Sequence, residues 1–563
     1  MTFVTVLCAS ATASDESTSG KSGQTATTGI APLHQRIDEA IAAADPKFQN
    51  IASQRSTDAE FFRRLHLDLL GTIPSADAAR GILNQSDKQP LDRAALVEKL
   101  LAHPKHARRL QSVFDTILME RSASTNIPVD QWREYLRHSF LKNKPWNQLA
   151  LEILSADGAD PKLRPAARFY LDRNFNVDQV TRDIGRVFLG VDLECAQCHD
   201  HPVFDDYLQR HYYGLTAFLK RSSIYREPKT KAMLLAEKAE GDVSFTSVFT
   251  DESGTTSPRL LNLPEIIDPA WAAKVYIVPP KKNVRSVPAY SRRQQLGWAM
   301  TAANNAAFRR NIVNRLWALV MGRGLVEPLD LHHAANPPSH PKVLDLLADE
   351  FLNHRYDIRW LLRELALSDT YQRSSFVRGG EQERAARQFA VGLLKPLTPE
   401  QLAWSVMEAA GVTEHTLVGL EAALVKSDPK FGRGRSQHLL WREAALSKAL
   451  IGSVDQFVAK FAANGGQKTT FDATADQSLF LLNGTLLQQW LIPQGNNLTA
   501  RLAKLQDPRE LTEELYSSVL TRRPTQAESD EVAAYLADSE KPDAGIQDLT
   551  WALLTSAEFR FNH

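Results

Sequence analysis

Two cysteines and a histidine stand together at Cys195-Ala196-Gln197-Cys198-His199, with His201 close behind. Thiols two residues apart, followed at once by an imidazole, have the spacing of c-type haem attachment. Each thiol adds to one vinyl group and the histidine ligates the iron. On a helical turn both sulfurs lie on one face, which matches the separation of the vinyls. With 15 His in 563 residues, a histidine directly after a CxxC arises by chance in roughly one case in forty. Two other chemistries use the same residues. The cysteine pair is also a redox dithiol or disulfide. Together with His199 and His201 it gives the donor count of a zinc or other transition-metal site, although four tetrahedral ligands within seven residues strain the backbone. In the haem reading His199 is the proximal metal ligand. His201, two residues on, points roughly 200° away on a helix, so it is expected to bond a propionate or a backbone carbonyl. The sixth ligand must come from elsewhere: His211, Met233, Met300, Met321 and His563 are the candidates. Phe204, Tyr207, Tyr212, Tyr213 and Phe218 either wall a flat macrocycle or fill a helical core.

The third cysteine, Cys8, lies in the opening MTFVTVLCASATASDES. Residues 1–13 read as the remnant of a secretory signal, with Ala11-Thr12-Ala13 as its small-x-small cleavage pattern. Residues 14–30, rich in Ser, Thr and Gly, read as a disordered linker. The expectation is an exported protein of the periplasm or cell surface, the compartment in which such haems are attached. Cys8 then leaves with the signal, and the two motif cysteines make no disulfide framework. Lys+Arg 66 and Asp+Glu 66 cancel, so no whole-protein field favours nucleic acid; Arg433 and Arg435 form at most a local patch. No run of about 18 apolar residues occurs, and no transmembrane segment is expected. The sequence holds no GxSxG, P-loop, HExxH or dinucleotide glycine fingerprint.

The elements that must position the motif read as helices. Apolar residues recur at helical spacing in 94–102 and 341–354. Thr398-Pro399-Glu400-Gln401 and Thr525 to Glu528 have the form of capping boxes. Leu65 to Asp77 resembles Leu515 to Ala527, each a helix, a turn and a capped second helix, which reads either as a repeated helical unit or, the favoured reading, as a common way to build a helical hairpin. His332-His333 and Asn336 to Pro341 read as a polar loop with Ser339 or His340 capping the helix behind it. One stretch, Val243 to Pro258, alternates around a glycine turn and predicts a small β-hairpin. The prolines between 264 and 290 mark a boundary.

Segment 187–219, with CAQCHDHP followed by YYGLTAF, resembles the cytochrome-like domain of unknown function abundant in planctomycetes and their relatives. FFRRLHLDLLGTIPS (61–75) resembles its N-terminal helix pair. RRQQLGWAM, NIVNRLWALVMGRGLVEPLD, NPPSHPKVLDLLADEF, LFLLNGTLLQQ and AEFRFNH resemble the domain of unknown function usually fused behind it. The resemblance carries Cys195, Cys198 and His199 over as the haem motif, with Asp200, His201 and Pro202 matching its phrase. After Asp330 the family often shows a second acid, an aromatic and an arginine, where this chain has Leu331, His332 and His333.

The expected fold is therefore mainly α: two helical units with a small β-hairpin insertion between them. Residues 31–240 form a helical cytochrome-like domain, 241–285 a β- and Pro-rich connector, and 286–563 a helical C-terminal domain. The expected function is an exported protein binding haem c, used in electron transfer or as a redox subunit of a degradative system, with a redox protein as partner. The alternative is a non-redox exported enzyme or scaffold holding a metal or disulfide at the same segment.

Overall fold

Asp92 opens the first helix whose spacing is plain in the sequence, accepting the Ala95 amide, and Arg93–Leu101 turns Leu96, Val97, Leu100 and Leu101 inward. Helix Pro341–Asn353 likewise buries Val343, Leu344, Leu347, Ala348 and Phe351. Both predicted capping boxes form: Thr398 exchanges bonds with Gln401, and Thr525 with Glu528. The computed structural model describes residues 31–86, 89–249, 251, 253–270, 275–376, 381–428, 435–462 and 474–563. The expected signal remnant 1–13, the linker 14–30 and Arg433 lie outside them. Of the described residues, none belongs to a helix long and apolar enough to cross a membrane.

The fold is mainly α with two-stranded antiparallel sheets, as expected. Val243–Thr246 pairs with Ser253–Thr256 in the predicted hairpin. A further hairpin, Ser222–Arg226 with Met233–Glu237, precedes it.

The two similar segments adopt one conformation. Helix Asp58–Leu70 ends on Gly71 in the left-handed region (φ 71°), and helix Pro508–Leu520 ends on Thr521 in the same region (φ 59°). Each chain then enters a second helix, Ala76–Ser86 and Gln526–Asp538. The hairpins also meet, since Arg63 donates to Val519 O at 2.9 Å and to Phe559 O at 3.3 Å.

Two hydrophobic cores hold Leu33–His563 together. The first draws on residues from Leu33 to Val391, on both sides of the Pro-rich connector. At its centre the Trp146 ring stacks with Phe188 at 5.9 Å and with Phe308 at 5.8 Å. The second combines Leu67 and Ile73 with residues from Leu397 to Phe559. Between the cores Asp68 is buried. It meets Lys395 Nζ at 2.6 and 2.7 Å, Tyr371 Oη at 2.9 Å and Asn562 Nδ2 at 2.8 Å, tying the first hairpin to the C-terminus.

Candidate functional site

The motif sits on a single 3-10 turn, Cys195–Gln197, in which the Cys198 amide donates to Cys195 O at 3.2 Å. Residues three apart eclipse on such a turn, so the two thiols share one side, as the spacing predicts. Both cysteines are free and exposed. Three contacts hold the turn from behind. Tyr213 Oη donates to Gln197 O at 3.0 Å, Arg182 to Gln197 Oε1 at 2.9 Å, and the Val248 amide of the hairpin to Cys198 O at 3.1 Å.

His199 lies half-buried, with its ring 4.5 Å from Phe249. Its Nδ1 is 2.6 Å from Asp200 O. A carbonyl only accepts, so Nδ1 carries the hydrogen and Nε2 keeps its lone pair for a ligand bond. Asp200 in turn accepts the Gln209 amide at 2.6 Å, at the start of helix Gln209–Leu219. Two apolar side chains beside the motif are exposed, Val248 by 63% and Phe249 by 75%, and Val203 on the following loop is 71% exposed.

His201 departs from the helical expectation because the helix does not continue past Cys198; residues 199–208 form a loop. Its Nδ1 accepts the Val203 amide at 3.2 Å and the Phe204 amide at 3.1 Å, rather than bonding a carbonyl. The ring stacks on Phe204 at 4.2 Å, and Phe204 stacks on His333 at 3.8 Å. Tyr207 meets all three rings edge-on and donates to His332 O at 3.2 Å. With Nδ1 committed to two amides, His201 is a brace for the loop and a poor fourth ligand for a tetrahedral ion. Among the described residues no three His, Cys, Asp or Glu side chains converge as metal ligands.

The remaining aromatics divide. Tyr212 and Phe218 are core, Tyr213 is the brace named above, and Tyr207 is buried. Of the candidate sixth ligands, Met300 is buried in the first core and receives Asn305 Nδ2 at 3.7 Å. Met321 is in that core too, and Met233 starts a β-strand. His211 is buried, its Nδ1 bonded to Asp206 O at 2.9 Å. Burial lowers its pKa and that of His563.

The motif histidines lead to a feature that the sequence does not announce. Beside Tyr207 lies a cavity of about 390 Å³, bounded by Asp206, Tyr207, His332, His333, Pro337 and Pro338 among others. Burial pushes His332 down to about 4, with Arg315 adding to the effect. Burial also lowers His333, against the opposing pull of the Asp206 carboxylate. The Asp206 carboxylate accepts the Ala334 amide at 2.5 Å. The expected cap at the next helix does not form. His340 occupies the position without a side-chain cap bond, because its ring is buried against Phe389 and its Nδ1 meets Ser339 Oγ at 3.1 Å.

No curated protein and no solved structure matches the chain. Residues 36–223 match the family described as PSCyt2, protein of unknown function (DUF1549). Residues 292–536 match PSD1, protein of unknown function (DUF1553). The chain thus carries, in the expected order, segments similar to two domains of unknown function, with the CxxCH turn in the first and His332-His333 in the second.

Proposed function

We propose that this chain is an exported, cytochrome-like protein that binds haem c at Cys195, Cys198 and His199. Its role is electron transfer, or service as the redox subunit of a periplasmic or surface degradative system, with a partner protein as the other half of the couple. The observation that carries this reading is the His199–Asp200 hydrogen bond, which fixes the tautomer and leaves Nε2 as the donor beside two free thiols. Cys195 and Cys198 would hold the group through thioether bonds. Val203, Val248 and Phe249 would cover part of its apolar face, which accounts for their exposure. When bound, the group supplies a one-electron iron couple. The chain's own work is to orient His199 through Asp200, to keep the thiols on one side of the 3-10 turn, and to hold the loop rigid through His201. Export rests on the pattern of residues 1–13 alone.

The test is an absorption spectrum of protein made together with haem-attachment machinery. A Soret band that survives acid-acetone extraction is the expected result. Its absence would refute the haem and favour a metal or disulfide at the same turn.

A further inference from the structure

Outside the CxxCH motif, two adjoining turns concentrate positive charge. Hairpin Ser222–Arg226 with Met233–Glu237 turns through residues 227–232, and Tyr276–Val278 with Val287–Pro288 turns through 279–286. Tyr225 Oη donates to Asn283 O at 2.8 Å and the Glu237 amide to Ser286 O at 3.2 Å. Residues 283–286 therefore run beside the first hairpin, with Asn283 at its turn end. Arg226, Lys229 and Lys231 on one side and Lys281 and Lys282 on the other are exposed. Among the described residues none of these five forms an ion pair, whereas Arg285 behind them meets Asp157 at 3.0 Å. Glu227 is the single carboxylate in 226–231 and 279–285, in a chain that is neutral as a whole. The excess is local.

Aliphatic side chains stand in the same hairpin as the lysine pair. Ile277 is 65% exposed, Val275 50% and Val284 41%. Pairing extends to Val275, whose carbonyl accepts the Ala289 amide at 2.9 Å, so Val275 and Ile277 share one side of an extended strand. Val284 closes the lysine turn, its amide donating to Lys281 O at 3.1 Å. Lysines on a strand edge guard it against pairing with another sheet. These lysines lie on turns instead, and that role leaves the exposed aliphatics unexplained. Unpaired cations around aliphatic side chains match an anionic bilayer surface, which offers charged headgroups and hydrocarbon just behind them. A soluble polyanion would use the charges alone.

We propose that these paired turns dock on an anionic lipid surface, with the five cations against the headgroups and Ile277 and Val284 entering between them. The contact needs no cofactor and is tested on the full chain, by sedimentation with vesicles of phosphatidylcholine alone and of phosphatidylcholine mixed with phosphatidylglycerol. Binding is expected to the mixed vesicles only, and should weaken steeply with added salt. Each cation near such a surface is worth about fivefold in affinity, so Lys281→Gln with Lys282→Gln should weaken binding about 25-fold. Ile277→Ser should weaken vesicle binding about tenfold while leaving retention on heparin, a soluble polyanion, unchanged. All three side chains are exposed, and substitutions there leave the fold intact. The proposal is overturned if the chain ignores the mixed vesicles, if it binds neutral vesicles equally well, or if the lysine pair is replaced without loss. It is overturned too if Ile277→Ser leaves vesicle binding unchanged, which would make the surface one for a soluble polyanion.

Discussion

Phe204 lies between two imidazoles, with its ring centroid 4.2 Å from His201 and 3.8 Å from His333 and interplanar angles of 13° and 25°. One ring of the first matched segment is thus clamped between the CxxCH loop and a loop of the second. The loop that presents His199 takes its shape partly from residues far along the chain. This relationship, with Trp146 stacked on both Phe188 and Phe308, makes the two segments interdependent.

Residues 31–240 produced alone should therefore fail to form a fixed structure. The fragment loses Phe308, Ile312, Leu316 and Trp317 from the first core, and fully burying each large apolar side chain is worth about 1.5–3 kcal/mol. A total stability of about 5–15 kcal/mol cannot absorb that loss. Near-ultraviolet circular dichroism should show no fixed aromatic environment. A cooperative thermal transition in the fragment would show that the segments fold independently.

Gly190 sits at φ 70°, and a Cβ there would lie 2.8 Å from His332 Cδ2 and 2.9 Å from Asn311 Oδ1. Gly190→Ala combines backbone strain with overlap, so a loss of about 1–3 kcal/mol is expected. The His332 amide donates to Gly190 O at 3.0 Å, so the cavity wall should move with it. Urea unfolding reads the stability, and a loss below about 0.5 kcal/mol would contradict the strain argument.

Acid should destabilise the protein before its carboxylates titrate. Burial pushes His66 down to about 3 and His106 down to about 4, against about 6.5 in the unfolded chain. Between those values the unfolded state binds more protons. Stability is therefore complete above about pH 6.5 and falls as the pH drops towards the folded values, by up to about 1.4 kcal/mol per pH unit for each imidazole. His106 Nδ1 bonds Leu69 O at 2.9 Å. His106→Asn preserves a donor there without a titrating ring and should lose less stability between pH 7 and pH 5. An equal loss in variant and parent would show that His106 binds protons alike in the folded and unfolded states, so that burial does not lower it.

The capping boxes at Thr398 and Thr525 were legible because cap and partner lie three residues apart, as was the hairpin of Val243–Thr246 and Ser253–Thr256 from its alternation. The hairpin Ser222–Arg226 with Met233–Glu237 was not, since MLLAE carries no alternation and suits a helix as well as a strand. At the site, the thiols and His199 were legible from spacing. The helical wheel misplaced His201, because two local amides capture its Nδ1 once the 3-10 turn ends. The contact of His333 with Phe204 spans 129 residues and joins two loops, where neither period nor motif leaves a signal.

Asp68 and Lys395 form a buried pair that cannot be broken on one side without penalty. Asp68→Ala leaves the ammonium buried, with only Val320 O at 2.7 Å and no carboxylate, which should cost about 3–5 kcal/mol. Adding Lys395→Met removes the stranded charge and should recover much of that loss. The measurement is a double-mutant cycle by urea denaturation. Additive single losses would mean that the pair is not coupled.

His199 and His201 should separate the haem reading from a tetrahedral metal. His199 directs Nε2 outward because Asp200 O holds its Nδ1 hydrogen, whereas His201 spends Nδ1 on the Val203 and Phe204 amides. His199→Ala should therefore leave the thioethers intact while the absorption spectrum shifts to that of an iron without its proximal nitrogen. His201→Ala should leave the spectrum nearly unchanged. Its cost should appear in stability, about 1–3 kcal/mol for two amides left without an acceptor and a lost ring contact. If the turn instead held a zinc-like ion through four ligands, both imidazoles would be bound to it, and each substitution would weaken metal binding to a similar degree. Spectra and metal content of the two variants, measured beside their unfolding midpoints, decide between these outcomes. Equal, large losses of cofactor in both would overturn the haem assignment, even if some haem were found in the preparation.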